Sequence, residues 1–203
     1  MNLSRHGNGA ISRKSHKQFF QLLFYYIYTH LHLCMRIFII GFMGTGKSHW
    51  SMQWAKVNNM QFFDLDALIE EEEEASVVDI FEKEGEDYFR IKEAAKLRYL
   101  LKNDNCIISC GGGAPCFTEN MQCMNDNGIT VYLAASPTYI LQNVLLEKEK
   151  RPIIKNINEA ELLFFIEQKL KERAPFYNQA NLTLNAETLN ADSLAPVMSQ
   201  QFK

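Results

Sequence analysis

The sequence predicts a three-layer α/β/α fold around a parallel sheet of about five strands, and three observations carry that expectation. Along residues 35–203, short apolar runs alternate with longer segments of helical spacing. The first run, Ile37-Phe38-Ile39-Ile40, is apolar at successive positions, as a strand covered by helices on both faces must be. It enters Gly41-Phe42-Met43-Gly44-Thr45-Gly46-Lys47-Ser48, which has the G-x-x-x-x-G-K-S spacing of a phosphate-binding loop between strand and helix.

That loop has a mechanical logic. Glycines at 41, 44 and 46 let the backbone take positive φ and turn successive N–H groups toward an anion. The helix that follows adds the positive end of its dipole. Lys47 would reach the β- and γ-phosphates, and the Ser48 hydroxyl would sit on Mg²⁺. An ordinary glycine-rich turn leaves Lys-Ser at the helix start unexplained, so a nucleoside triphosphate is the expected ligand.

Composition narrows the class. A chain of 203 residues, 47% hydrophobic and 22% charged, is that of one soluble globular domain. A net charge of −3 argues against nucleic acid or an anionic membrane as the main partner. Cys34, Cys106, Cys110, Cys116 and Cys123 form no C-x-x-C pair and no ligand-like spacing to histidine. They read as reduced thiols of a cytoplasmic protein rather than a zinc or redox site.

Residues 1–34 are of a different kind. A basic stretch with Arg5, Arg13, Lys14 and Lys17 precedes an apolar one from Phe19 to Tyr28, superficially like a secretory signal. No small-residue cleavage site follows, and the run is too short and interrupted to span a bilayer. The expectation is that Met35 begins the fold and residues 1–34 are an extension outside it. The alternative is an amphipathic helix docked on the domain or on a membrane surface.

From Met35 the elements follow in order. The first strand covers about 36–40, and a helix at 48–57 would place Trp50, Trp54 and Val57 on one side. A short strand at 61–63 runs into Asp64-Leu65-Asp66, two carboxylates at a strand end, where α/β folds bind ligands. Asp66 could also cap the helix beginning at Ala67. The run from Glu70 to Glu74 reads as a solvated helix end, not a metal cluster. Ser76 caps a short helix, Gly85 breaks it, and a longer amphipathic helix at 86–101 carries Phe89, Arg90 and Glu93. Arg90 and Glu93, three apart, share one face, either as a surface ion pair or as a substrate clamp.

A third strand at 106–109 ends in Gly111-Gly112-Gly113-Ala114-Pro115; three glycines imply bare backbone beside something large. A helix from Thr118 to about Asn127 and a strand at 129–133 follow, and Ser136-Pro137 opens the next helix. The charged stretch Glu147-Lys148-Glu149-Lys150-Arg151-Pro152 suits a lid at about 147–157. A helix over about 159–177 contains Arg173-Ala174-Pro175, and a strand at 182–184 and a polar helix end the chain.

GFMGTGKS, FFDLD, GEDYFRIKE, SCGGGAP, KRPII and KERAPFY, in this order, resemble the shikimate kinase family. That family lies within the nucleoside monophosphate kinase-like branch of P-loop NTPases. The resemblance runs from Met35 to the C-terminus. It implies transfer of phosphate from ATP to the 3-hydroxyl of shikimate, giving 3-phosphoshikimate and ADP in the route to chorismate and aromatic amino acids. By resemblance, Gly44, Thr45, Gly46, Lys47, Ser48 and His49 hold ATP. Ser48 and Asp64 serve Mg²⁺, the latter through water. Asp66 would hold ring hydroxyls and position or deprotonate the attacking one. Arg90 and Arg173 would bind the carboxylate, with Glu93 orienting Arg90. Gly111, Gly112 and Gly113 would admit the ring, and Arg151 would meet the phosphates on closure. The implied state is a monomer with shikimate and ATP as partners, and no nucleic acid or membrane.

Two departures stand out. His49 occupies a place where the family commonly has threonine, and the stretch from Gln142 to Leu146 lacks the arginine that stacks near adenine, so a raised KM for ATP is expected. A gluconate kinase-like enzyme of the same branch is the competing catalytic reading, but it would not need Arg90, Arg173 and the triple glycine together. A non-catalytic nucleotide-binding regulator would be expected to lack Lys47 or Asp66, and both are present.

Overall fold

The computed structural model describes residues 35–117, 119–146 and 158–200. Residues 1–34, Thr118 and 147–157, with Cys34, Arg151 and the expected lid, lie outside the described residues.

The elements in chain order are β1 (Arg36–Ile40), α1 (Lys47–Val57), β2 (Gln61–Asp64), α2 (Leu65–Glu73), α3 (Val77–Lys83), α4 (Glu86–Leu100) and β3 (Cys106–Ser109). Then come α5 (Asn120–Asn127), β4 (Ile129–Ala134), α6 (Pro137–Leu146), α7 (Glu159–Tyr177), β5 (Leu182–Asn185) and α8 (Ala195–Gln200). The sheet has five strands in the order β2-β3-β1-β4-β5, and every pair is parallel. β1 sits in the middle, with Phe38 in register between Ile108 of β3 and Thr130 of β4.

Alternation along β1 feeds two cores. Phe38 and Ile40 face a cluster with Leu65, Ile69, Phe89, Leu97, Met124 and Tyr177, under α2, α4, α5 and the end of α7. Ile37 and Ile39 face Trp54, Val131, Leu133, Leu194 and Val197, under α1 and α8. Both faces being covered is why β1 is apolar throughout. A smaller cluster of Phe42, Ile140, Val144, Leu162 and Ile166 fastens α6 and α7 to the loop after β1.

Three local expectations are corrected. Val57 is 60% exposed and does not continue a stripe with Trp54. The buried stripe of α1 is Ser51, Trp54 and Ala55, a spacing of three and four that leaves Val57 to one side. The glutamate run is only partly a solvated end. Glu71 and Glu74 are exposed, but Glu70 Oε1 accepts from the Val77 amide at 2.8 Å. Glu73 and Glu72 pair with Lys92 (2.6 Å to Glu73) and Lys96 of α4, lacing α2 to α4. Finally, the helix expected from Thr118 begins at Asn120. Ser76, by contrast, caps α3 as expected, in a reciprocal capping box with Asp79.

Cys106, Cys110, Cys116 and Cys123 are free, and burial pushes Cys106 up to about 11 and Cys110 well above the ordinary thiol value. Thiols so disfavoured as thiolates are poor nucleophiles and poor metal ligands.

Candidate active site

Because the sheet is parallel, the carboxyl ends of β1, β2 and β3 lie side by side on one rim, and each delivers a different group there. β1 delivers the glycine-rich loop. Gly44 has φ 78°, a conformation that side chains rarely adopt. A Cβ there would also come within 3.0 Å of Val144 Cγ2 and 3.2 Å of the Ile140 carbonyl. The loop closes on the Phe42 carbonyl, which accepts from Thr45 Oγ1 at 2.8 Å and from Lys47 Nζ at 2.9 Å. From α6, Asn143 Nδ2 donates to the Gly44 carbonyl at 2.8 Å. Asn143 was not singled out in the sequence, since an amide in a helix carries no signal of what it will reach.

The junction of β2 and α2 delivers two carboxylates with divided duties. The sequence left Asp66 as a possible cap of α2, but the cap is Asp64, whose Oδ1 accepts from the Ala67 amide at 3.3 Å. Its other oxygen, Oδ2, accepts from Ser48 Oγ at 2.5 Å. Asp66 is thereby left to face the site. It keeps an opening to solvent, yet loss of water is the largest influence on it and raises its carboxyl to about 6, against the pull of Lys47.

β3 delivers the triple glycine. Its purpose is space more than unusual backbone angles, since none of the three has positive φ. A Cβ on Gly111 would stand 2.5 Å from Asp66 Oδ1 and 2.7 Å from Glu93 Oε1. One on Gly113 would stand 2.5 Å from Arg90 Nη2, and one on Gly112 3.3 Å from Arg173 Nη1. The large neighbour anticipated from the sequence is the protein's own charged side chains, with Asp66, Glu93, Arg90 and Arg173 all gathered on one bare loop.

Arg90 and Glu93, on one face of α4 as anticipated, form a buried pair rather than a surface one. Arg90 Nη1 donates to Glu93 Oε2 at 2.9 Å, and Arg90 Nη2 donates to Glu86 Oε1 at 2.9 Å. The guanidinium lies over Phe117 at 4.5 Å, Phe89 at 5.2 Å and Phe81 at 5.6 Å. Burial opposes its charge, but Glu93 and Glu86 together raise its pKa, so it stays cationic. Burial pushes the Glu93 carboxyl up to about 7 despite Arg90. Glu93 Oε1 is buried and has no hydrogen-bond partner among the described residues.

Arg173, from α7, completes the group. Its Nη1 donates to the Gly112 carbonyl at 3.1 Å and its guanidinium lies 5.2 Å from the Phe42 ring centroid. Phe42 therefore touches both halves of the site, its carbonyl holding Lys47 and its ring supporting Arg173. His49 is exposed, with its ring edge-on to Trp50 at 5.2 Å. Arg151 lies outside the described residues. Phe117, Phe42 and Tyr177 are site neighbours that spacing could not reveal, because apolar and aromatic residues read as core.

Chemically, the rim offers an anion cradle, a hydroxyl–carboxylate pair, a carboxyl poised near neutrality, and two guanidinium groups for a small acidic ligand. Gly111→Ala tests how tightly these are fitted. It is expected to lower folding stability by about 1–3 kcal/mol through overpacking against Asp66 and Glu93. The measurement is urea denaturation, with the midpoint falling and the slope unchanged.

A family model described as Shikimate kinase matches residues 43–202. The shikimate kinase of Bacteroides thetaiotaomicron is 41% identical over 155 residues, 76% of this chain and 89% of that protein. A crystal structure of shikimate kinase from that organism superposes with a TM-score of 0.77 at 38% identity, covering 82% of this chain and 97% of that one. The shikimate kinase of Acinetobacter baumannii, solved in complex with shikimate, gives a TM-score of 0.74 at 28% identity, over 86% of this chain and 99% of that one.

Proposed function

The chain belongs to the shikimate kinase family, and from that premise we propose that the rim is the site of one reaction. The γ-phosphoryl group of ATP passes to the 3-hydroxyl of shikimate, giving 3-phosphoshikimate and ADP. The observation that carries the residue assignment is the convergence of Asp66, Glu93, Arg90 and Arg173 on Gly111–Gly113, one strand away from the loop that carries Lys47.

Each part has a task that its chemistry suits. The amides of Gly44, Thr45 and Gly46 cradle phosphate oxygens, and Lys47 leaves the Phe42 carbonyl to meet the transferring group. Arg90 and Arg173 take the acceptor's carboxylate, where planar forks outperform point charges. Glu93 holds Arg90 in orientation at 2.9 Å. Asp66 accepts a hydrogen bond from the attacking hydroxyl and takes its proton as the new bond forms; a carboxyl at about 6 is matched to that duty near neutrality. Arg151 is assigned to the phosphates by resemblance alone.

Ser48 and Asp64 suit Mg²⁺. Their oxygens are hard donors already 2.5 Å apart, and Mg²⁺ needs few protein ligands because phosphates and water supply the rest. When bound, the ion neutralises phosphate charge. No helix among the described residues is long and apolar enough to cross a membrane; a cytoplasmic monomer is part of the same proposal.

Purified protein with Mg·ATP is expected to release ADP only when shikimate is added, with 3-phosphoshikimate confirmed by mass. Release driven equally by gluconate, which lacks a rigid ring to present its carboxylate to both arginines, would favour the competing kinase reading instead.

A further inference from the structure

Tyr177 is the last residue of α7, one helical turn beyond Arg173, so both side chains point the same way. Its ring is fully buried and stacked on Tyr132 of β4, with centroids 4.9 Å apart and planes at 28°. Its hydroxyl donates to the Gly112 carbonyl at 2.5 Å, and that same oxygen accepts from Arg173 Nη1 at 3.1 Å. A carbonyl oxygen has two lone pairs, so the two donors share it without conflict.

That sharing matters because the two donors have different prospects. Arg173 has a neutral partner in the carbonyl, and a carboxylate is a much stronger one. As a substrate carboxylate arrives, the guanidinium turns toward it and its bond to Gly112 weakens. With no second donor, the half-buried Gly112 carbonyl would lose its side-chain partners, and weakening a backbone group's hydrogen bonding there opposes the move. Burial raises the Tyr177 pKa, with Arg173 acting against it, so the hydroxyl keeps its proton and remains a donor at working pH.

We propose that the Tyr177 hydroxyl is a positioning group for acceptor binding, holding the Gly112 carbonyl so that Arg173 is free to engage the shikimate carboxylate. This rests on the assignment of Arg173 to that carboxylate. Tyr177 touches neither substrate nor phosphate; it acts through Gly112 and Arg173.

Tyr177→Phe in the full chain is the test, since the ring and its stacking on Tyr132 remain. The shikimate KM is expected to rise about three- to tenfold, the worth of one hydrogen bond. KM for ATP and kcat stay within about twofold, a split that a merely structural tyrosine would not produce. In an Arg173→Lys background, which lacks the fork, the same substitution is expected to add less than about twofold, because the coupled partner is already altered. Three results overturn the proposal: an unchanged shikimate KM, equal rises for both substrates, or the same increment in both backgrounds. If the unsubstituted protein shows no shikimate-dependent ADP release, the functional assignment itself falls, and this proposal with it. Turnover in that protein with no effect of Tyr177→Phe defeats this proposal alone.

Discussion

Asp66→Asn is expected to lower kcat by about 10²–10⁴-fold, the usual worth of a positioned proton acceptor, with little change in the affinity for ATP. Asparagine fills the same space beside Gly111 and can still meet a hydroxyl. It cannot take the proton, so the loss belongs to the chemical step. The readouts are single-turnover kinetics with saturating shikimate and a separate titration with ATP. Unchanged turnover would remove Asp66 from the mechanism. The same substitution has a signature in stability. Burial raises Asp66 from 3.8 to about 6 and Glu93 from 4.5 to about 7. Both are therefore groups that hold their protons more tightly when folded. Their contribution to stability is fully present below the unfolded values and is lost as pH rises through about 6 and 7. The melting temperature of the unsubstituted protein is expected to decline between those limits, and Asp66→Asn to flatten the lower part of the decline. In the active protein, kcat/KM is expected to rise over the range where Asp66 ionises.

Arg90→Ala is expected to cost about 3–5 kcal/mol of folding stability, as removal of one member of a buried ion pair does. Shikimate KM is expected to rise about 10²-fold through loss of charge-assisted bonds, with KM for ATP nearly unchanged. The reason for the stability cost lies in Glu93. One of its oxygens already has no partner among the described residues, and the other is held by Arg90. Without the guanidinium the carboxylate is buried alone, and it escapes by taking up a proton. The destabilisation should thus be larger at pH 8 than at pH 6, on either side of a carboxyl already raised to about 7. Urea denaturation at the two pH values measures this. Arg90→Lys should restore much of the stability but less of the shikimate affinity, because an ammonium keeps charge without the fork. Equal changes in both KM values would make Arg90 a structural anchor only.

Much of this was legible in the chain. Short apolar runs marked β1, β3 and β4, while β2 and β5 were legible only as three-residue stretches between helical segments; G-x-x-x-x-G-K-S located the phosphate loop because a backbone cradle needs glycine at fixed offsets. Arg90 and Glu93 were legible as a pair because three residues in a helix is a contact distance. What was not legible depended on tertiary depth. Spacing could not decide which of Asp64 and Asp66 caps α2, because both stand at the helix start; packing gave the cap to Asp64 and freed Asp66. The glycine triplet signals room for something large, but the side chains around it come from α2, α4 and α7, none adjacent in sequence. Tyr177 lay inside a motif, yet a tyrosine at a helix end signals burial, and its hydroxyl acquires meaning only from a carbonyl 65 residues earlier.

The order of the strands has a further consequence. β3 separates β1 from β2, so the glycine-rich loop after β1 and Asp66, the proposed proton acceptor just after β2, follow strands two spacings apart, about 9–10 Å. Hydrogen-bonded backbone sets that distance, and no side-chain substitution can stretch it. Strand order thus fixes how far apart the two groups are carried. Changes that retarget such an enzyme would therefore be expected on α4 and α7, which choose what is held. The gauge that sets how far phosphate must travel would be left as it is.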